Sequence, residues 1–277
     1  MPLFVGINGD FLLHLRQSPN RMRITLLQTA PTWEAPEQSR EDARRMLMGT
    51  QRTDLVVLPE MFSTGFVTEP EGMAEGEDGD SLRWMQAYAR SRQCAVAGSV
   101  SVHASDGTYR NRFYFVYPDG QYVYYDKHHL FTYGGEHEHY TAGQERVIVE
   151  HAGFRILLQV CYDLRFPVFA RNRMVDGKPD YDLILYVASW PQQRVDAWDA
   201  LLKARAIENV CFVAGVNRVG KDPGNLYSGH TGLYGPRGEL LSICKENRID
   251  IIEFEIKRAL LDHVRATFPA LLDADCQ

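Results

Sequence analysis

Short apolar runs alternate with amphipathic helical stretches along this chain, and that alternation restricts it to an α/β architecture. "RITLLQTAP" (Arg23 to Pro31) reads as a buried strand. The helix after it places Ala43, Met46 and Leu47 on one face and is closed by Gly49. "DLVVLPE" is the next strand, "SLRWMQAYARSR" the next helix with Leu82, Met85 and Ala89 in register, and "CAVAGSVSV" the strand that follows. The rhythm changes at "RNRFYFVYPDGQYVYYDK", where two aromatic-rich alternating runs joined by Pro-Asp-Gly carry the signature of a hairpin, so antiparallel pairing enters there. Further on, "FRILLQVCYD" and "YDLILYVASWP" bracket a short helix, and the helix "DAWDALLKARAIENV" leads into "CFVAGVNRVG". Ala197, Ala200, Ala204, Ile207 and Cys211 fall on one face of that long helix, and small residues there would let it sit close to a sheet. With the runs that end in "DIIEFEI", the count reaches about twelve strands and four or five helices, which suggests two sheets face to face with helices outside.

A chain of 277 residues, 45% of them apolar, buries a sizeable core, and one large domain is expected. Met22 stands immediately before the first convincing strand, so residues 1–21 are read as an extension outside the fold and 22–277 as a single domain. The opening segment has no basic stretch ahead of its apolar one and no small-residue cleavage site, which makes it a poor signal peptide. A net charge of -6 without a basic block leaves nothing to hold a phosphate backbone, so nucleic acid is not expected as a partner. No window approaches the roughly 18 apolar residues a membrane span needs. Five cysteines, an odd number without a C-x-x-C pair, fit a reducing compartment, and the expected location is the cytoplasm.

Three strands end in a reactive group: "DLVVLPE" in Glu60, "YVYYDK" in Lys127 and "RILLQVC" in Cys161. Ligands in open α/β sheets gather beyond the carboxyl ends of strands, so a carboxylate, an ammonium and a thiol are candidates for one pocket. A free thiol is mostly protonated at neutral pH and needs a base beside it to become a nucleophile, a role Glu60 fits. An ammonium such as Lys127 keeps a buried carboxylate ionised and also faces the oxyanion that forms when sulfur attacks a carbonyl. The backbone N–H of Tyr162 is the natural second donor to that oxyanion. Taken singly, each has a plain structural reading: a small core residue, a solvated strand end, a turn charge.

Context favours the site. "LVVLPEMFSTGF", "YYDKHHLFTYGGEHEHYTAG" and "QVCYDLRFPVFARN", in that order and at those separations, resemble the nitrilase superfamily of carbon-nitrogen hydrolases. The likeness extends through "YDLILYVASWPQQRVDAWDALLKARAIENVCFVAGVNRVG" and covers roughly Arg23 to Ile256, most resembling the omega-amidase branch. The resemblance implies a four-layer αββα sandwich of two mixed sheets with outer helices, a homodimer, and a small-molecule amide substrate such as 2-oxoglutaramate hydrolysed without a cofactor. By position it makes Glu60 the general base, Lys127 the catalytic lysine and Cys161 the nucleophile. A further glutamate near the lysine assists in this family; Glu136 is the choice and Glu138 its rival. N-carbamoyl hydrolysis, nitrile hydrolysis and a non-catalytic dimeric scaffold are the alternatives.

Arg165 either pairs with Asp163 or Asp182 or receives an anionic substrate end with a bidentate fork. Phe62, Phe131, Tyr133 and Trp190 fill the core or line the pocket, and Phe62 and Trp190 are taken as substrate-binding candidates together with Tyr162 and Arg165. The histidines of "HHLFTYGGEHEHY" lack metal-ligand spacing and read as a polar network, so no metal is expected. "ARAIEN" reads as an Arg205–Glu208 ion pair on a helix. His230 stands where many relatives carry Asp and bears on the pocket rim.

Overall fold

The computed structural model describes residues 20–274, so most of the expected extension, residues 1–19, lies outside the described residues, as does Cys276. From its start the chain runs β1 (Arg21–Gln28), α1 (Pro36–Leu47), β2 (Leu55–Val57), α2 (Asp80–Arg92), β3 (Ala95–His103), β4 (Tyr109–Val116), β5 (Tyr122–Asp126) and a one-turn α3 (Glu136–His139). It continues through β6 (Ile148–His151), β7 (Phe154–Val160), β8 (Leu183–Ala188), α4 (Val195–Asn209), β9 (Phe212–Asn217), β10 (Gly232–Tyr234), β11 (Leu240–Ile243), β12 (Asp250–Lys257) and α5 (Arg258–Thr267). The fold begins slightly before the expected Met22: Arg21 already pairs with Lys257, and the Asn20 carbonyl accepts the Arg258 N–H at 2.8 Å.

One sheet has the order β12-β1-β2-β3-β4-β5 and the other β11-β10-β9-β8-β7-β6. Parallel pairs occur where a helical crossover joins the strands, at β1/β2/β3 and β7/β8/β9, and the remaining neighbours are antiparallel. Both sheets are therefore mixed, and the aromatic runs do form the β4/β5 hairpin.

Residue alternation builds the layers. Ile24, Leu26, Leu55, Val57, Ala95, Ala97, Phe113 and Phe115 share one core with Ile156, Leu158, Val160, Leu183, Leu185 and Val187 of the second sheet. Their neighbours in sequence, Leu27, Val56, Leu58, Val96, Tyr114 and Val116, face the other way and pack under Ala43 and Leu47 of α1 and Leu82, Met85 and Ala89 of α2. At about 1.5–3 kcal/mol for each large side chain removed from water, these two seams supply most of the drive to fold. The result is a four-layer αββα sandwich.

Two local expectations are corrected. α4 does not present the expected face of Ala197, Ala200, Ala204 and Ile207 to the sheet: Trp198, Leu202, Arg205, Ala206 and Asn209 are its buried residues, while Ala200 and Ile207 are exposed. The close approach is provided by the strand instead, at Gly215, where a Cβ would lie 2.4 Å from Leu202 and 2.7 Å from Trp198. α1 ends on Met48 in the right-handed conformation, and Gly49 is not in the left-handed region.

Candidate active site

Glu60, Lys127 and Cys161 follow β2, β5 and β7 at the carboxyl ends of their strands, and Ser189 and Trp190 follow β8. Both sharp departures from a strand use left-handed backbone, with φ of 44° at Met61 and 46° at Cys161. A non-glycine residue held there costs about 1–3 kcal/mol, and such strain collects where a side chain must be aimed. Cys161 opens a short 3-10 turn, Cys161–Arg165, anchored by the buried Asp163. That carboxylate accepts the Val160 N–H (2.9 Å), the Tyr125 hydroxyl (2.8 Å) and the His129 N–H (2.9 Å), so it ties the cysteine turn to the end of β5. Lys127 is fixed by its own N–H to the Asn111 carbonyl and by its carbonyl, which accepts the Gly143 N–H, each at 3.0 Å. Only glycine fits at 143, since a Cβ would stand 2.1 Å from the Asp126 carbonyl oxygen.

Glu60, Lys127 and Glu136 form one buried cluster, each side chain 0% exposed. Lys127 Nζ donates to Glu60 Oε1 at 2.9 Å and to Glu136 Oε2 at 2.8 Å and Oε1 at 3.1 Å. The Asn111 amide donates to Oε1 of both carboxylates, at 2.8 Å to Glu60 and 3.0 Å to Glu136. Glu136 Oε2 also accepts the Phe131 N–H at 2.6 Å, whereas Glu60 Oε2 accepts only the Ser189 N–H at 2.8 Å. A carboxylate has about four lone-pair sites. Glu136 uses all of its own, while Glu60 keeps one open, so Glu60 is the carboxylate with capacity to take a proton.

Electrostatics agree with that division. Burial pulls the Lys127 ammonium down, but Glu136 and Glu60 outweigh it and hold the group protonated well above the ordinary lysine range. Burial pushes the Glu136 carboxyl up, with Lys127 pulling against it. Burial also raises the Cys161 thiol well above its usual range, and the negative charge of Glu60 adds to the effect while Lys127 opposes it. The resting sulfur is a thiol, held up by burial and by the charge of Glu60, whose open lone pair is the one available to its proton.

Cys161 lies at the wall of a cavity of about 290 Å³ whose lining includes Tyr162, Arg165, Trp190, Phe131, Phe66, Arg194 and Tyr227. Tyr162, Arg165 and Trp190 thus stand at the cavity. The Arg165 guanidinium lies 4.8 Å over the Trp190 ring and has no carboxylate partner among the described residues. Asp163 is occupied as above, and Asp182 by Arg258 (2.8 Å) and Arg265 (2.7 Å). Phe62 is a correction: it is 2% exposed and absent from the lining, because the turn at Met61 directs its ring under α2, 5.8 Å from Trp84. Phe131 lines the cavity and Tyr133 is 83% exposed, whereas Glu138 is exposed and apart from the cluster.

The loop histidines are taken up by separate partners, although the His128 and His129 rings meet edge to face at 4.5 Å. His128 stacks on Phe169 and His129 on Phe166, while His139 meets Glu71. Among the described residues no three His, Cys, Asp or Glu side chains stand close enough to share an ion. His230 bonds Asp199 at 2.7 Å beside α4 and does not line the cavity. The Arg205–Glu208 pair is present at 2.9 Å, and Arg205 also donates to the Leu164 carbonyl at 2.6 Å, bracing the cysteine turn. Asn111, Ser189 and Arg194 are not singled out by the sequence, and Asp163, offered there only as a partner for Arg165, anchors the cysteine turn instead. Asn111 did carry a signal, as the polar residue on a strand face otherwise occupied by Phe113 and Phe115.

The sequence pattern of the family described as carbon-nitrogen hydrolase matches residues 23–266. The chain is 45% identical over 255 residues to an omega-amidase, YafV, of Escherichia coli strain K12, covering 92% of this chain and 97% of that one. It is 34% identical over 227 residues to a 2-oxoglutaramate amidase of Bacillus subtilis strain 168, covering 81% and 86%. A crystal structure of a carbon-nitrogen hydrolase superfamily protein from Xanthomonas campestris, with an arsenic adduct in its active site, superposes with a TM-score of 0.90 at 42% identity, covering 93% of this chain and 98% of that one.

Proposed function

The chain belongs to the carbon-nitrogen hydrolase family, in its omega-amidase branch, and from that membership we propose that it hydrolyses the terminal amide of a short 2-oxo dicarboxylic monoamide, 2-oxoglutaramate being the favoured candidate. The observation that carries this reading is a thiol placed against a buried carboxylate with one free lone pair, itself clamped by an ammonium, at the wall of a cavity of small-molecule size.

Because the resting sulfur is a thiol, Glu60 takes its proton as sulfur attacks the amide carbon. The charge that develops on the amide oxygen is met by Lys127 and the Tyr162 N–H, which lies in the first turn of a helix where N–H groups lack internal partners. Such a donor is worth about 3 kcal/mol in the transition state. Protonated Glu60 then gives the proton to the departing nitrogen, so the C–N bond breaks, ammonia leaves and an acyl thioester remains on Cys161. Glu60, again a carboxylate, draws a proton from water as the water oxygen attacks the thioester carbon. The C–S bond breaks, the proton returns to sulfur, and the acid is released. Glu136, with every lone pair committed, holds Lys127 in place and transfers no proton. At the far end of the substrate Arg165 receives the carboxylate, with Trp190 beneath it and Tyr162 beside it.

The same reading takes the chain from residue 22 onward as one catalytic domain, supported by a core that runs through both sheets. It takes the protein as a homodimer, supported by the exposed apolar side chains Phe268 and Leu272 next to α5. It places the enzyme in the cytoplasm, in keeping with free thiols at Cys94, Cys161, Cys211 and Cys244. Among the described residues no helix is long and apolar enough to cross a membrane. The test is ammonia release from a panel of small amides, nitriles and N-carbamoyl acids. Turnover of 2-oxoglutaramate well above the rest is expected, and preference for a nitrile or an N-carbamoyl acid would overturn the reading.

A further inference from the structure

We propose that Arg194 is a specificity-determining residue, a second cation that grips the anionic end of the substrate together with Arg165. This rests on the reading of the substrate as an amide with an anionic far end. Arg194 lies in the turn just before α4, and its guanidinium sits 5.5 Å over the ring of Phe131 and 5.7 Å over that of Tyr133. Like Arg165, it lines the cavity and has no carboxylate partner among the described residues. Trp190 joins the two arginines: its face lies under Arg165, and its indole N–H donates to the Arg194 carbonyl at 2.7 Å. Trp190 is itself held by its backbone N–H to Asn217 Oδ1 at 2.8 Å. The platform under Arg194 is equally fixed, because the Phe131 N–H is bonded to Glu136.

A surface arginine without a partner costs little, but two of them on aromatic platforms at one cavity form an unspent pair of forks. The single carboxylate in the lining, Asp222, is already engaged by the Tyr227 hydroxyl and by the N–H groups of Gly224 (2.9 Å) and Asn225 (2.7 Å). Two guanidinium groups thus outnumber the one carboxylate of the lining, and the cavity wall carries a net positive charge. A planar carboxylate has two oxygens and can accept one fork on each, which orients the chain between it and the amide.

The test measures kcat and KM for 2-oxoglutaramate and for pentanamide, a neutral amide of equal carbon number, in wild type, Arg194→Gln and Arg194→Lys. Calorimetric binding of the product 2-oxoglutarate to the same three proteins gives a second readout. Arg194→Gln is expected to raise KM for 2-oxoglutaramate and Kd for 2-oxoglutarate by roughly 10- to 100-fold, the worth of a charge-assisted hydrogen bond. Its kcat and its turnover of pentanamide stay close to wild type, and Arg194→Lys recovers part of the loss. If wild type discriminates but Arg194→Gln leaves KM and Kd unchanged, the assignment of Arg194 falls and the substrate reading stands. Equal losses on both amides make Arg194 a mere support for Trp190 and overturn the proposal. A wild type that does not distinguish the two amides overturns the substrate reading, and the proposal with it.

Discussion

Replacing Lys127 with Met keeps the volume of the side chain and removes the one ammonium that two buried carboxylates share. At the observed 2.9 Å and 2.8 Å, with the effective dielectric that suits protein sites, each contact is worth about 6 kcal/mol of gross attraction, most of it offset by desolvation. Removing one partner of a buried pair costs about 3–5 kcal/mol net. In the variant Glu60 and Glu136 face each other across the Asn111 amide alone, and the cheapest relief is for one of them to bind a proton. Holding a carboxyl protonated costs about 1.4 kcal/mol per pH unit above its ordinary value near 4.3, hence about 5 kcal/mol at pH 8 and about 1 kcal/mol at pH 5. The sign follows: a carboxyl whose folded pKa is raised stabilises the fold at low pH and loses that contribution as pH rises through the folded value. Urea unfolding followed by tryptophan fluorescence should show Lys127→Met destabilised by about 3–5 kcal/mol at pH 8 and by much less at pH 5. Adding Glu136→Gln should recover most of the loss at pH 8 without restoring ammonia release. Equal destabilisation at both pH values, unaffected by Glu136→Gln, would refute the shared-ammonium account.

Glu60→Gln removes the base while preserving shape, and Glu136 still pairs Lys127, so activity should fall 10²- to 10⁴-fold while the protein stays folded. A folded Glu60→Gln with full kcat would reassign the base. Alkylation of Cys161 by iodoacetamide should still be climbing above pH 9, because burial and Glu60 hold the thiol up; a plateau near the free-thiol value of about 8.5 would contradict this. Asp182, 1% exposed, ties the start of β8 to α5 through Arg258 and Arg265, and Asp182→Asn should cost about 3 kcal/mol at pH 7 with kcat intact. Burial pushes that carboxyl up, but the hydrogen bond from Arg258 and its companions outweigh burial and hold it well below the usual range. Its contribution is therefore present above about pH 4 and lost on acidification, and the gap between variant and wild type should narrow toward pH 2.

What was legible in the sequence followed from local patterns. The apolar run at Ile24–Leu27 and the alternation at Phe113/Phe115 mark strands that the sheets bury, and the strand-end positions of Glu60, Lys127 and Cys161 are where the fold brings groups together. Glu136 is the buried glutamate of the loop, and the two-residue step to Glu138, about half a helical turn, puts that rival on the exposed side. Two misreadings came from tertiary effects. The face of α4 was set by Gly215 on another strand, and Phe62 was turned away by the left-handed backbone at Met61. Arg194 sits in an unremarkable "PQQR" and becomes visible only when Phe131 and Trp190 surround it.

The central claim is that Cys161 carries the acyl group. It is tested most directly by mixing the enzyme with excess 2-oxoglutaramate, quenching in acid within a turnover, and analysing the peptides by mass spectrometry. The account predicts an acyl thioester on the peptide that contains Cys161, released by hydroxylamine, and none in Cys161→Ala, which should also release no ammonia. Ammonia release at near-wild-type rates by Cys161→Ala, or an acyl group on any other side chain, would contradict it.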